Sequence, residues 1–202
     1  MNPDLANEVR SVLDARFDAR ERAIAESRKV IRASANAIRA LHRSEWDEAD
    51  TLVAEAGDRL ASISDALSTN PELLSHAVVH DAEKEYAEAC ITRAVFTASP
   101  VPGFQALGVD PVAYLHGLGE AVGEMRRRML DLLRHEKLAE AEELLEEMDN
   151  IVDQLAQIDY PDGMTNGLRR TTDVSRSLVE RSRSDLTATV VQERLRQDLR
   201  DR

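Results

Sequence analysis

Apolar positions along the chain recur at intervals of three and four residues, broken by short polar or proline-bearing stretches. In the first segment Val12, Ala15, Ala19, Ala23, Val30, Ala37 and Leu41 form one helical stripe. A second stripe runs through Val78, Ala82, Ala89 and Val95. Apolar–polar alternation is absent and β-branched runs are short, so no strand is expected. The helix starts are marked: Asn2-Pro3, Asn70-Pro71 and Asp110-Pro111 each set a capping side chain before a proline at the first helical position. Ser44, three residues before Asp47, suggests a weaker capping box. The pattern predicts helices over 3–43, 45–68, 71–98, 111–135, 138–158 and 165–200, a loop over 99–109 and a turn at 160–163. The expected fold is all-α, six long helices in one domain covering 1–202. Helices of about 35–40 residues span roughly 50 Å or more. They outrun a compact chain of this length, so oligomerisation is the expected way to bury their stripes.

Composition agrees with long helices and adds little else. Aromatic residues make up 3% and glycines number eight, which disfavours a sandwich or barrel of short strands. The lone cysteine, Cys90, excludes an internal disulfide framework and suits a reducing cytoplasm as a small buried hydrophobe. No secretory signal pattern opens the chain, and no apolar run approaches the roughly 20 residues needed to span a bilayer. A cytoplasmic protein is expected, with no membrane partner.

Charge changes the picture more. The chain carries 38 acidic against 26 basic residues, a net charge of −12, and among the basic residues only Lys29, Lys84 and Lys137 are lysine. Acidic excess with scarce lysine suggests a halophilic protein, whose self-repulsion is screened by a salty cytoplasm. Net acidity argues mildly against a generic nucleic-acid binder, but a local arginine-lined surface can act inside an acidic shell.

The candidate chemistry lies in two glutamate pairs. Glu85 and Glu88 are three apart, Glu120 and Glu124 four apart, so each pair shares a helix face. Facing one another across packed helices they would form a four-carboxylate cluster that holds a hard cation, holds protons, or repels itself apart. A solvated acidic face is the ordinary alternative for Glu85 and Glu88, which Asp81 would extend. Glu120 and Glu124 sit in an apolar stretch, 112–125, with Gly117, Gly119 and Gly123. Glycine inside a helix costs about 1 kcal/mol against alanine, so three of them point to close helix–helix approach. His116, one turn before Glu120, is a ligand, a proton carrier, or a partly buried histidine satisfied by a hydrogen bond. No Glu-x-x-His pair occurs, which removes the di-iron bundle pattern. An oxygen-only site suits Mg²⁺ or Mn²⁺ and phosphoryl chemistry, in which the ion activates water and stabilises developing charge. No nucleophile triad, phosphate-binding loop or dinucleotide fingerprint is present. Arg126, Arg127 and Arg128 follow Glu124, and Arg169 and Arg170 open the last helix. Clustered guanidinium groups grip phosphate by forked hydrogen bonds, although intrahelical pairing with acids is their commoner use.

These motifs resemble the translin family, and more closely its translin-associated factor X branch. The resemblance rests on Glu85-Tyr86-Ala87-Glu88-Ala89 and on Leu107-Gly-Val-Asp-Pro-Val-Ala-Tyr114-Leu-His-Gly117-Leu118, followed by Gly123-Glu124-Met-Arg-Arg127. Ile38-Arg-Ala-Leu-His42-Arg and the run from Tyr160-Pro-Asp to Leu168-Arg-Arg-Thr-Thr-Asp173 support it, in order and over most of the chain. The resemblance implies seven helices, which would add a break to the six predicted. It also implies assembly into a hollow barrel, an octamer, alone or with a translin-like paralogue, binding single-stranded RNA or single-stranded DNA inside. Catalytic members of that branch cleave single-stranded RNA with a divalent metal. Their acids correspond to Glu85 and Glu88, and a further aspartate corresponds to Glu120, which is longer by one methylene.

The expectation is therefore a Mg²⁺- or Mn²⁺-dependent endoribonuclease. Glu85, Glu88 and Glu120 would be the catalytic metal ligands, Glu124 a fourth ligand or supporting carboxylate, and Arg126, Arg127, Arg169 and Arg170 the nucleic-acid contacts. A non-catalytic nucleic-acid-binding assembly and a helical protein-interaction scaffold remain the alternatives. Tyr86 and Tyr114 are expected to be packing residues.

Overall fold

The computed structural model describes residues 4–68 and 77–200. These form eight helices and no strand: α1 (Leu5–His42), α2 (Trp46–Leu67), α3 (Ala77–Phe96), α4 (Phe104–Leu107), α5 (Pro111–Arg134), α6 (Leu138–Ala156), α7 (Asp162–Thr165) and α8 (Leu168–Arg200). The all-α expectation holds, and the six long helices fall close to the predicted spans. Two one-turn helices, α4 and α7, lie within the predicted loop and turn. The Asn2-Pro3 and Asn70-Pro71 caps, and the predicted start of the third helix, lie outside the described residues.

The helix ends follow local chemistry. Asp110 caps α5 as its sequence suggests, its carboxylate accepting from the Val112 and Ala113 backbone N–H groups at 2.8 and 3.2 Å with Pro111 in the first turn. Ser44 does not act as a cap: it takes a left-handed turn at φ 59, and Glu45 stands at the N-cap of α2 without a side-chain capping bond. The turn reverses the chain in three residues, 43–45, and lets α2 fold back along α1. Asn166 (φ 49) and Gly167 (φ 79) separate α7 from α8 in the same way, which places the start of the last helix three residues later than predicted.

The long helices pack as two groups of three that share one seam. Helices α1, α2 and α3 enclose Val30, Ala33, Ala56, Leu60, Ile63, Leu67, Val79 and Ala82. Helices α5, α6 and α8 enclose Val122, Met125, Met129, Leu145, Met148, Leu155 and Val179. The groups meet where α3 lies against α5, with Ala87 and Ile91 of α3 entering the second core. Helix α5 is close to neighbours on two opposite faces. A Cβ on Gly117 would stand 2.7 Å from the Lys84 carbonyl oxygen of α3, and one on Gly119 would stand 2.4 Å from Thr171 Cγ2 of α8. The close approach expected from the glycines is thus real at two of the three, while Gly123 has room.

The long helices extend past these cores. Residues 5–18 of α1 are exposed and burial begins at Ala19, so Val12 and Ala15 of the predicted stripe face outward. On α8 the last buried side chain is Leu186. Among the described residues no helix is long and apolar enough to cross a membrane.

Candidate metal centre

The α3–α5 seam carries the chemistry. Glu85 and Glu88 project from α3 toward Glu120 on α5, and one carboxylate oxygen from each lies within 4.8 Å of the others. Gly117, one turn before Glu120, allows this. Its missing side chain lets α5 settle onto the backbone of Lys84 and Glu88 and onto the Ala87 methyl, so short carboxylate arms from both helices meet.

Glu88 is the inner member. It is 8% exposed, and it has no hydrogen-bond or ion-pair partner among the described residues. Burial, then the charges of Glu120, Glu85 and Glu124, push its carboxyl up to about 8, against the opposing pull of Lys84. A buried carboxyl without a partner either keeps its proton or takes a cation. Three convergent carboxylates with no nitrogen or sulfur donor suit a hard divalent ion such as Mg²⁺ or Mn²⁺. The residues present therefore fit the metal expected for this arrangement.

Two contacts in the seam were not foreseen. Lys84 reaches across to Glu120 with Nζ 2.8 Å from each carboxylate oxygen and 3.4 Å from Glu85 Oε1. Burial acts to lower its pKa, but the Glu120 bond and the charges of Glu120 and Glu85 hold the ammonium above its ordinary value. Its only sequence signal was a rare lysine inside the acidic motif. The second contact is His42, whose Nε2 lies 2.5 Å from Glu124 Oε2. That bond, aided by the charges of His42 and Arg127, holds the Glu124 carboxyl below the usual range despite burial. Glu124 is thus turned toward α1, apart from the three-carboxylate group, and acts on Glu88 through its charge. His42 rests edge-on against Phe96 at 5.4 Å between ring centroids. Within its family-like motif it gave no hint of this partner, 82 residues away.

The remaining candidates divide. A groove of about 390 Å³ beside the cluster is lined by Glu88, Glu120, Gly119, Arg170, Thr171 and Val174 together with Ser175 and Leu178. Arg170 therefore shares one concavity with two of the three acids, and it has no ion-pair partner among the described residues. Arg169 points elsewhere, 3.6 Å from Asp159. Arg126 is committed to α8, donating to Ser182 Oγ and Asp185 Oδ2 at 2.8 Å each. Arg127 is largely exposed, 4.0 Å from Glu124. His116 is a hydrogen-bonded interior histidine, 2.9 Å from both Thr171 Oγ1 and the Thr165 carbonyl oxygen. Tyr114 donates to the Pro102 carbonyl oxygen at 3.0 Å and Tyr86 packs against Gly57. Cys90 is buried, which pushes its thiol up to about 11.

A larger cavity of about 900 Å³ lies away from the cluster, lined by His80, Asp81, Glu83, Asp110 and apolar neighbours. Burial and then the charge of Asp110 push the Glu83 carboxyl up to about 7. None of the three convergent acids lines this cavity, so size and chemistry do not coincide. The groove is the better candidate, because unlike the larger cavity it is lined by Glu88 and Glu120.

No family model matches the chain. An uncharacterized protein of Methanocaldococcus jannaschii is 27% identical over 199 residues, covering 98% of this chain and 88% of the relative. Among solved structures, AfC3PO resembles the chain at a TM-score of 0.85 and 31% identity, covering 93% of this chain and 97% of that one. It is known both by itself and in complex with duplex RNA. The apo form of NeC3PO is similar at a TM-score of 0.82 and 20% identity, over 94% of this chain and 98% of that one. At that identity the likeness speaks for the fold.

Proposed function

The chain belongs to the translin family, and from that premise we propose that it is a divalent-metal-dependent endoribonuclease of the translin-associated factor X type. It acts on RNA held inside a homo-oligomeric helical barrel of octamer type. The observation that carries the reading is the convergence of Glu85, Glu88 and Glu120 within 4.8 Å, with buried Glu88 lacking any hydrogen-bond or ion-pair partner among the described residues. Those three acids hold the ion. A bound Mg²⁺ or Mn²⁺ supplies Lewis acidity and charge neutralisation at a phosphodiester. The chain's own groups do the rest. Arg170 grips a phosphate in the groove beside the acids, as a guanidinium fork suits. Gly119 leaves the space, and Val174 and Leu178 present an apolar wall toward ribose or base. Glu124, held by His42, keeps a negative charge at the edge of the site.

AfC3PO is known with duplex RNA, whereas the family motifs imply single-stranded RNA, so both are assayed. Labelled single-stranded and duplex RNA are incubated with the full chain in Mg²⁺, Mn²⁺ or EDTA, in dilute and molar KCl. Cleavage with metal, abolished by EDTA and in Glu85→Gln/Glu88→Gln, is expected. Cleavage that survives the double substitution would sink the assignment. A second reading, a non-catalytic RNA-binding assembly, is favoured by one contact, the Lys84 ammonium already seated on Glu120. It predicts RNA binding without cleavage in either metal.

A further inference from the structure

The three lysines of the chain stand in different surroundings. The Lys29 and Lys137 side chains are 49% and 52% exposed and pair with an acid one turn along their own segment. Lys84 is 20% exposed and its partners are two of the three convergent acids. It is anchored next to Glu85 on α3 and grips Glu120 on α5, so it ties the two helices across the seam.

The three acids hold their positions unequally. Glu88 is nearly enclosed, 8% exposed and open toward the groove it lines. Glu120 is 41% exposed at the mouth of the groove and has both oxygens on the Lys84 ammonium. A divalent ion bound between these acids needs a Glu120 oxygen that Lys84 now holds. Two cations thus compete for one carboxylate, and electrostatics forbids either to ignore the other, since like charges a few ångströms apart repel strongly in a partly buried site. The extra methylene of Glu120 matters here. A longer arm on the solvent side gives the carboxylate two reachable partners.

We propose that Lys84 is the resident counter-cation of the metal centre, holding Glu120 in the metal-free protein and yielding it when a divalent ion enters. Lys84 is then a positioning residue that sets the ion concentration at which the centre assembles. Glu120 is the ligand that changes partner, and Glu88 is the fixed one. The inference rests on the metal reading proposed above and adds a regulation to it.

The test is Mn²⁺ binding to the full-length protein, by calorimetry and by the loss of free-ion paramagnetic resonance signal, with melting temperatures in EDTA and in Mn²⁺. Wild type is compared with Lys84→Met, which keeps the stem and removes the charge, and with Lys84→Gln, each checked for helix content. Both variants are expected to bind Mn²⁺ about tenfold or more tightly than wild type. They are expected to melt earlier in EDTA and to regain that loss in Mn²⁺. Binding by a wild type and variants that are equally folded, with unchanged or weaker affinity in the variants, overturns the role of Lys84 and leaves the metal centre standing. Absence of Mn²⁺ binding in all three removes the metal centre itself, and the inference with it.

Discussion

At Glu88 two costs coincide: the carboxyl is buried, and its nearest acidic neighbours, Glu120, Glu85 and Glu124, share its charge. Both raise its affinity for a proton, from 4.5 to about 8. The sign of the resulting pH dependence follows. In the metal-free protein the folded state holds this proton more tightly than the unfolded chain does. The stabilisation is complete below about 4.5, is lost as pH rises, and is gone above about 8. The slope from one such group is at most about 1.4 kcal/mol per pH unit. Glu83, pushed up to about 7, contributes with the same sign, so the informative quantity is the difference from Glu88→Gln, a neutral near-isostere. Urea unfolding in EDTA between pH 5 and 9 is expected to show wild type losing stability relative to Glu88→Gln. Equal pH profiles for the two would remove Glu88 from the interior role. With Mn²⁺ the trend is expected to reverse, because an ion bound at the proposed centre would replace the proton. What was legible at this scale was the identity and shared face of the acids. Lys84 and His42 were hidden because their partners lie 36 and 82 residues away, a proximity that no helical period encodes.

Helix α5 decides whether the acids meet, and its glycines do different jobs. In a helix interior alanine is favoured over glycine by about 1 kcal/mol, so each Gly→Ala change weighs that gain against the space available. At Gly117 the obstacle is the Lys84 carbonyl oxygen at 2.7 Å and the Glu88 nitrogen at 3.0 Å, backbone atoms that cannot turn aside. At Gly123 the nearest atom is Leu178 Cδ1 at 3.9 Å, an ordinary contact. Gly117→Ala is therefore expected to destabilise by about 1–3 kcal/mol and to weaken Mn²⁺ binding by parting α3 from α5. Gly123→Ala is expected to stabilise by about 0.5–1 kcal/mol with Mn²⁺ affinity intact. Chemical denaturation and metal titration of the two variants check both signs, and a stabilising Gly117→Ala would contradict the close seam. The same helix shows how elements were read. Asp110-Pro111 announces its start, because a capping carboxylate and a proline act within one turn. The one-turn helices α4 and α7 were missed because four residues leave no periodic trace. Ser44 was misread because a left-handed φ on a serine has no composition signal.

For the molecule as a whole, the cores account for only part of the long helices. Leu5, Val9, Val12, Leu13 and Phe17 are 48–60% exposed and share one broad face of α1. Val191, Leu195 and Leu199 repeat the pattern at the far end of α8. Because these five α1 side chains are about half exposed, burying what remains of them is worth about 4–8 kcal/mol, before the cost of association is subtracted. That gain goes uncollected in an isolated chain, which is why a period-based stripe predicted burial that a single copy does not provide. Assembly is opposed by the net charge of −12 carried by every copy, so salt is expected to favour it by screening. Light scattering of the wild type in molar KCl is expected to give a mass well above 22.5 kDa, with about 180 kDa for an octamer. Val12→Asp/Phe17→Asp places two further negative charges on the α1 face while replacing no buried residue, and is expected to lower that mass while helix content persists. A wild type that stays at 22.5 kDa in both dilute buffer and molar KCl would refute the assembly. An unchanged mass in the double variant would move the interface off α1. The outcome bears on the site as well, since the groove beside Glu88 and Glu120 lies open on the single chain. Were neighbouring copies of the proposed barrel to enclose it, RNA held there would be kept better at high salt, where phosphate contacts weaken steeply.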